Sequence, residues 1–313
     1  MEYRSFLQGG LKLSRLCFGA LTLGPLQKGL SYKAGGALID AALSGGVNCI
    51  DTAEYYETYG HILEGIRSHR DAVVITRSYA YDAPWAMESV GRAMNALKRN
   101  HIDVMMLHEQ ESIHTLRGHK EALDTYLRLK EKGIIKAVGV STHFVGCADA
   151  VAKMPQVDVL CVPINYKGYG IMDGSVEDML SVIKTAKANG KIVTAMKPLG
   201  GGHLSQTAKQ ALDFVTNIKE LDSIPLGMQT LAEVECNLSY FNGAPSAAAF
   251  TATAGEERRL HIAHWCLGCG KCVERCQQQA LTIVDGKAQV NHEQCALCGY
   301  CAKACPEFAI KVY

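Results

Sequence analysis

The sequence predicts a (β/α)8 TIM barrel followed by a small second domain, and three observations support this fold class. The 313 residues exceed the roughly 250 that one β/α barrel typically needs. Short apolar runs alternate with amphipathic helical stretches between residues 16 and 240, which is the pattern of parallel βα units. Eight of the 13 cysteines fall within residues 266–305. We therefore expect a barrel at 1–245, a linker at 246–259 and a second domain at 260–313.

The first region contains eight β-like runs. They are residues 16–19, 47–51, 72–76, 102–107, 135–140, 157–162, 191–196 and 222–227. Helical stretches separate them, for example 119–132, where Ala122 and Tyr126 share one face. Eight alternating pairs favour a closed barrel over an open doubly wound sheet, which usually has fewer strands and a glycine fingerprint after the first strand.

Charge and cysteine usage limit the kinds of partner and compartment. Lys plus Arg (32) nearly equals Asp plus Glu (31), so no global field attracts nucleic acid or an anionic membrane. No apolar run approaches the ~18 residues of a membrane helix, and the N-terminus shows no secretory leader. The clustered cysteines indicate metal binding rather than disulfides. We expect a soluble, cytoplasmic protein in which the other five cysteines are buried thiols.

The cysteines of the second domain form two copies of one pattern, offset by 29 residues, with the spacing C-x2-C-x2-C-x3-C. They are Cys266, Cys269, Cys272 and Cys276 in the first copy and Cys295, Cys298, Cys301 and Cys305 in the second. This spacing is typical of a bacterial-ferredoxin-like α+β domain with two 4Fe-4S clusters. Structural zinc is the alternative because C-x2-C pairs also build zinc ribbons, but eight cysteines in this doubled order favour clusters.

In ferredoxins of this type, the fourth cysteine of each run binds the other cluster. Carried over to this chain, the resemblance implies two ligand sets that cross between the copies. The cluster I ligands are Cys266, Cys269, Cys272 and Cys305, and the cluster II ligands are Cys295, Cys298, Cys301 and Cys276. Gln277 stands where the pattern usually has a proline, whereas the second copy has Pro306. Neither position supplies a ligand.

Several short motifs before residue 240 resemble those of aldo-keto reductases. They are residues 10–16 with Gly19, 51–53 with Tyr56, 106–108, 138–141 and 198–202. Nearly the whole chain is similar to the branch of that family that carries a ferredoxin tail. The resemblance implies a TIM-barrel oxidoreductase that acts on a carbonyl or alcohol substrate.

The family's catalytic tetrad consists of aspartate, tyrosine, lysine and histidine at the C-terminal ends of the strands. Asp51, Tyr56 and His108 match three of these, and Arg77 stands at the lysine position. In the family the tyrosine protonates the carbonyl oxygen. The lysine stabilises the anion of that tyrosine, and the histidine orients the carbonyl. Arginine keeps the charge, but its planar fork is not equivalent to an ammonium group. Tyr59 is the alternative to Tyr56.

The resemblance also implies a nicotinamide cofactor. The candidate cofactor-binding residues are Ser141, Asn165, Lys197, Gly200, Gly201 and Asn237. Lys197 precedes the glycine loop near where barrel enzymes often bind phosphate, although such a loop can equally be a turn. Glu233 falls where the family contacts the 2′-phosphate of NADP. NAD(P), with NAD favoured over NADP, and a flavin are therefore the candidate cofactors beside the clusters.

Three functions are compatible with these residues. The first is an iron-sulfur oxidoreductase whose clusters relay electrons to or from a carbonyl or alcohol in the barrel. The second is an electron-transfer protein whose barrel is a docking scaffold or binds another cofactor or substrate. The third gives the clusters only a stabilising role in a short domain. The expected partners are a small-molecule substrate and a redox protein.

Overall fold

The computed structural model describes residues 1–6, 10–253 and 259–312. An antiparallel hairpin of β1 (Tyr3–Phe6) and β2 (Leu11–Ser14), which the sequence patterns did not predict, precedes the barrel. The barrel strands are β3 (Leu16–Gly19), β4 (Cys49–Asp51), β5 (Val73–Ser78), β6 (Ile102–Leu107), β7 (Ile135–Ser141), β8 (Val159–Pro163), β9 (Ile192–Met196) and β10 (Ile224–Gly227). Their ends differ from the predicted ones by at most two residues.

All eight barrel strands are parallel, and they pair in the order β10, β3, β4, β5, β6, β7, β8, β9. The two end strands meet where Ala195 N donates to Ser223 O at 3.0 Å and Thr194 bridges Ser223. This contact nearly closes the sheet on itself. The predicted TIM barrel is confirmed.

The helices of the barrel region pack around these strands. They are α1 (Tyr32–Ser44), α2 (Tyr59–Gly65), α3 (Ala83–Leu97), α4 (Ile113–Gly118), α5 (Lys120–Glu131), α6 (Val145–Ala152), α7 (Val176–Ala188), α8 (Ala208–Thr216), α9 (Leu231–Phe241) and α10 (Ala247–Thr253). Helix α10 lies within the predicted linker and packs Phe250 on Tyr240 of α9, with ring centroids 5.7 Å apart. Residues 254–258 of that linker lie outside the described residues. None of the helices in the described ranges has the length and apolarity that a membrane span requires.

Two apolar layers hold the barrel together, because alternate side chains of each strand point inward and outward. The outward layer packs against the helices. The inner layer includes Val104 and Met106, and Leu11 and Leu13 of the hairpin pack against it. The five cysteines outside the ferredoxin-like pattern are all buried, as predicted; they are Cys17, Cys49, Cys147, Cys161 and Cys236.

The C-terminal domain repeats its backbone as well as its cysteines. Its elements are β11 (Leu260–Ile262), α11 (Lys271–Arg275), β12 (Leu281–Val284), β13 (Lys287–Val290), α12 (Tyr300–Ala304) and β14 (Ile310–Val312). Strand β11 pairs with β14 and β12 with β13, both antiparallel. Gly270 and Gly299, 29 residues apart, precede α11 and α12 with φ of 80° and 79°. Gln279 and Phe308 share left-handed φ values of 51° and 50° at the same offset.

The C-terminal domain packs on the barrel mouth, at the C-terminal ends of the strands. A Cβ atom at Gly201 would overlap Ala296 O, and one at Gly299 would overlap Leu26 O. The side chain of His203 lies 2.5 Å from Cys295 O through Nε2. These close backbone approaches fix which face of the small domain covers the barrel.

Candidate functional site

The four predicted tetrad residues lie together and buried in the barrel mouth. Asp51 ends β4, Arg77 lies near the end of β5, and His108 directly follows β6. Tyr56 ends a short 3-10 turn after β4, and its ring centroid is 5.7 Å from that of His108. The structure therefore brings together the residues that we predicted from their positions at the strand ends.

Arg77 is held by three partners at the base of this site. Its Nη2 donates to Asp51, its Nε donates to Thr52 O at 3.1 Å, and its Nη1 lies 3.6 Å from Cys161 Sγ. Burial by itself lowers the pKa of Arg77, but the charge of Asp51 outweighs it and leaves that pKa well above the ordinary value. The guanidinium therefore stays charged and pairs with Asp51.

Tyr56 remains a protonated phenol in this environment. Burial raises its pKa, the charge of Arg77 opposes the shift, and Asp51 and Glu109 reinforce it. The phenol therefore does not ionise at neutral pH, and the charge of Arg77 is the largest influence that favours loss of its proton. The hydroxyl of Tyr59 instead pairs with Thr76 Oγ1 at 2.8 Å, which favours Tyr56 as the tetrad tyrosine.

Besides Tyr56, His108 contacts two further tyrosines, and one of them comes from the C-terminal domain. Its ring stacks on Tyr79 with centroids 4.4 Å apart, and its Nε2 lies 3.4 Å from the hydroxyl of Tyr300. Burial, followed by the positive charges of Arg77 and Arg275, lowers the pKa of His108 well below its ordinary value. The imidazole is therefore neutral, and its buried Nδ1 has no hydrogen-bond partner among the described residues.

Arg275 of the C-terminal domain enters the same space, and sequence analysis missed it. Its guanidinium lies 4.9, 5.1 and 4.9 Å from the ring centroids of Tyr55, Tyr79 and Tyr300, within the range of cation–π attraction. It also donates to the hydroxyl of Tyr79 at 3.1 Å. No spacing rule could have indicated Arg275 or Tyr300, because their role depends on which face of the domain docks.

A polar cluster lies at the ends of β6 and β9, and sequence analysis predicted Lys197 in it as a cofactor residue but missed Glu109 and His143. Glu109 and Lys197 have left-handed backbones, with φ of 48° and 56°. Residues other than glycine rarely adopt this conformation outside functional or constrained sites. Glu109 accepts a hydrogen bond from Tyr79 and lies 3.8 Å from Nε2 of His143. Burial raises the pKa of Glu109, and burial together with the charge of Lys197 lowers the pKa of His143 to about 3.

One cavity between the two domains is bordered by all four predicted cluster II ligands. They are Cys276, Cys295, Cys298 and Cys301. Cys276 comes from the first cysteine run and the other three from the second, so the structure brings them together as the crossed assignment predicts. Glu109, Lys197 and Tyr300 line the same cavity. The barrel mouth and the cluster II ligands thus share one space.

The sulfur atoms also receive backbone hydrogen bonds that suit thiolates. Ala280 N donates to Cys276 Sγ at 3.4 Å, and 29 residues later Ala309 N donates to Cys305 Sγ at 3.3 Å. Two further N–H groups lower the pKa of Cys266. Hydrogen bonds to the charged form stabilise it, and soft thiolates suit iron-sulfur clusters. Burial acts the other way and raises the pKa of Cys272, Cys295, Cys298 and Cys301. It is therefore the eight soft sulfur donors themselves that fit two 4Fe-4S clusters.

The predicted nicotinamide contacts are engaged within the protein. Ser141 Oγ accepts from Glu109 N at 3.0 Å. Asn165 Nδ2 donates to Tyr169 O at 2.9 Å and to Lys197 O at 3.1 Å, and its Oδ1 accepts from Tyr169 N at 3.0 Å. These side chains brace the strand ends, and their part in cofactor binding stays a prediction.

The remaining predicted cofactor residues also have surroundings that differ from those of a phosphate site. Gly201 packs on Ala296 of the C-terminal domain, and Gly200 lies against the ring of Tyr169. Lys197 lines the cavity of the cluster II ligands, and Asn237 is buried in α9. The glycine loop is therefore part of the domain interface.

Family comparison assigns nearly the whole chain to two known domains. The aldo/keto reductase family model matches residues 15–267. The model of the 4Fe-4S dicluster domain matches residues 265–309. The second match decides between clusters and zinc for the doubled cysteine pattern, in favour of clusters.

Individual relatives are similar to each part. L-galactose dehydrogenase of Arabidopsis thaliana is 22% identical over 282 residues, covering 76% of this chain and 88% of that protein. One component of the ion-translocating oxidoreductase complex of Methanosarcina acetivorans is 36% identical over 47 residues, 15% of this chain and 18% of that protein. An aldo-keto reductase structure from Bacillus halodurans has a TM-score of 0.64 at 16% identity, over 81% of this chain and 95% of that one. That structural likeness shows the fold.

Proposed function

Because the chain belongs to the aldo/keto reductase family and carries a 4Fe-4S dicluster domain, we propose that a carbonyl or alcohol substrate in its barrel exchanges electrons through the cluster II ligands. One observation carries this proposal. Tyr300 stands between the ligands Cys298 and Cys301 in sequence, and its hydroxyl lies 3.4 Å from His108 Nε2. A single side chain therefore separates the cluster II ligands from the tetrad.

The electron count is consistent with this arrangement. When bound, two clusters supply one electron each, and the conversion of a carbonyl to an alcohol takes up two electrons and two protons. Tyr56 donates one proton to the carbonyl oxygen, since its phenol stays protonated. The second proton comes from solvent, and solvent also returns to Tyr56 the proton that it has donated. Arg77 supplies a fixed positive charge beside the oxygen that gains electron density.

The family generally binds NAD(P), yet in this chain electrons would reach the barrel through the C-terminal domain. The side chains of Ser141 and Asn165 are engaged within the barrel, and Gly201 is covered. A nicotinamide that did bind would be NAD rather than NADP, because the Glu233 carboxylate would repel a 2′-phosphate. A flavin would serve only if electrons had to be split from a hydride.

The electron-transfer alternative is favoured by a different observation. The tetrad is buried beneath Tyr300, so the barrel could serve as a scaffold for the clusters. Under this alternative, Tyr56→Phe would change no redox reaction of the protein. A purely structural role for the clusters would leave them unreactive toward every substrate.

Stopped-flow reoxidation of the clusters tests the proposal. The protein with its clusters loaded is reduced photochemically under argon and mixed with a panel of aldehydes and ketones, without nicotinamide. We expect at least one carbonyl to reoxidise the clusters, and Tyr56→Phe to slow this at least about 100-fold, as loss of a general acid does. Tyr32→Phe, at a tyrosine 60% exposed, is the matched control and should react like the wild type. Reduced clusters that no carbonyl reoxidises, or an unaffected Tyr56→Phe, would overturn the proposal.

A further inference from the structure

The C-terminal domain has an exposed apolar face at the predicted cluster I ligands. Trp265, Leu267 and Phe308 are 48%, 69% and 77% exposed. Trp265 Nε1 donates to Glu307 O at 3.2 Å, so the two chain segments adjoin. Cys269, two residues after Leu267, is exposed as well. We call Trp265, Leu267, Cys269 and Phe308 the cluster I face.

The internal repeat makes this face the counterpart of the surface that covers the barrel. The 29-residue offset relates Leu267 to Ala296 and Cys269 to Cys298. It also relates Gly270, where a Cβ atom would meet open space, to Gly299, where one would overlap the barrel. The second copy of the surface is therefore docked, and the first copy is open.

The two copies differ in a way that suits two different partners. The docked copy has the small Ala296 at the point where the barrel backbone comes close, whereas the open copy has the large apolar Leu267. Exposed apolar patches of this kind mark interaction sites. At the docked copy, Cys298 lines the cavity beside the tetrad. By the same repeat, Cys269 presents the other cluster to whatever covers the open copy.

We infer that the cluster I face docks a small one-electron carrier protein. The inference rests on the proposed function, in which electrons must reach the cluster II ligands from outside the barrel. In each encounter the carrier is oxidised by one electron and cluster I is reduced by one, with no bond made or broken. Two encounters supply the pair of electrons that one carbonyl takes up.

A carrier is the occupant that the chemistry of this face selects. Iron-sulfur clusters exchange single electrons, and Cys269, a predicted cluster I ligand, is exposed two residues after Leu267, so a partner that covers this face comes close to the cluster. Lys271 and Glu307, of opposite charge, are exposed next to the face in sequence. Because the flanking charges differ in sign, apolar contact rather than net charge should dominate binding, and salt should weaken it little.

The test uses a reduced bacterial ferredoxin as the probe and the loaded, oxidised protein as the acceptor. The double variant Leu267→Gln with Phe308→Asn removes the apolar rim, and asparagine tolerates the left-handed backbone of position 308. We expect the second-order rate of cluster reduction by ferredoxin to fall about tenfold or more. Reduction by dithionite should stay unchanged. Leu231→Gln, at a barrel leucine 52% exposed, is the matched control and should behave as wild type.

Two results would overturn the inference once iron content and EPR spectra show intact clusters. One is equal reduction of wild type and double variant by ferredoxin. The other is a wild-type dimer in sedimentation that the double variant dissociates, which would assign the face to a second copy of this chain. Reoxidation of dithionite-reduced protein by a carbonyl is measured separately, so failure of this docking face and failure of the barrel reaction are distinguishable.

Discussion

The hydroxyl of Tyr300 lies 3.4 Å from Nε2 of His108, across the boundary between the two domains. Tyr300 begins α12, immediately after Gly299 has let the small domain approach Leu26 of the barrel. Docking and the proposed redox path thus depend on the same few residues. An arrangement in which the clusters only stabilised their own domain would not require this contact.

Arg77→Met should destabilise the protein by about 3–5 kcal/mol, because it leaves Asp51 as a buried carboxylate without its partner. Adding Asp51→Asn removes that charge, so the double variant should lose clearly less than the sum of the two single variants. Urea unfolding followed by circular dichroism measures all four proteins. Strictly additive losses would show that the two side chains do not stabilise each other.

Lys197→Met should lower the reduction potential of the cluster held by the cluster II ligands. Reduction adds negative charge, and the ammonium group of Lys197 lines the same cavity. We expect a shift of about 60 mV, which is tenfold in a one-electron equilibrium, in an EPR-monitored potentiometric titration. Lys287→Met is the matched control, because Lys287 Nζ donates to Cys266 O at 2.6 Å and should affect the other cluster. Equal shifts of both clusters in both variants would contradict the prediction.

Gly201→Ala should loosen the docking of the C-terminal domain. Its Cβ atom would overlap Ala296 O, and its φ is 75°. Gly133→Ala shares the left-handed strain, with φ of 71°, but its Cβ atom meets open space. The free energy of unfolding of the control should therefore fall by about 1–2 kcal/mol, and that of Gly201→Ala should fall by more. Small-angle scattering should show a larger radius of gyration for Gly201→Ala alone; unchanged dimensions and a loss equal to the control would contradict the described interface.

His143 should make the protein less stable as the pH falls below its ordinary pKa of 6.5. Its pKa is lowered to about 3 by burial and the charge of Lys197, so between those values the unfolded chain binds a proton that the folded chain does not. The contribution of His143 to the free energy of unfolding is complete above pH 6.5. It decreases toward acid pH by up to ~1.4 kcal/mol per pH unit. His143→Gln should flatten the difference between unfolding curves at pH 7 and 5. A variant with the wild-type pH slope would exclude this histidine as the cause.

The barrel and its tetrad could be predicted because their signals are local. The predicted strand ends lie within two residues of the observed ones, and Asp51, Arg77 and His108 follow from the rule that functional side chains end barrel strands. Cys276 borders the same cavity as three cysteines of the second run, which is the grouping that the resemblance to two-cluster ferredoxins implies, and the ligand roles stay a prediction. The strands and the positions at their ends depend on a periodicity or a motif that one segment carries by itself.

The contacts that the predicted cofactor residues make could not be predicted from the sequence because they depend on how distant segments meet. Gly201 matches a phosphate loop in sequence, yet its open side is filled by Ala296. Asn165 matches a cofactor position, yet both ends of its amide hold the chain near Lys197. Helix α10 falls in the predicted linker because its alanine-rich sequence has little pattern, and its packing on α9 stabilises it.

Product formation in a single turnover without nicotinamide tests the central claim most directly. The protein with both clusters reduced is mixed under argon with the most reactive carbonyl, and the alcohol is quantified by mass spectrometry. Electron delivery through the cluster II ligands predicts one alcohol per chain, since each of two clusters contributes one electron, and none when the clusters are oxidised. Alcohol that forms only after NADH or NADPH is added, and in equal amount when the clusters have been removed, would contradict it.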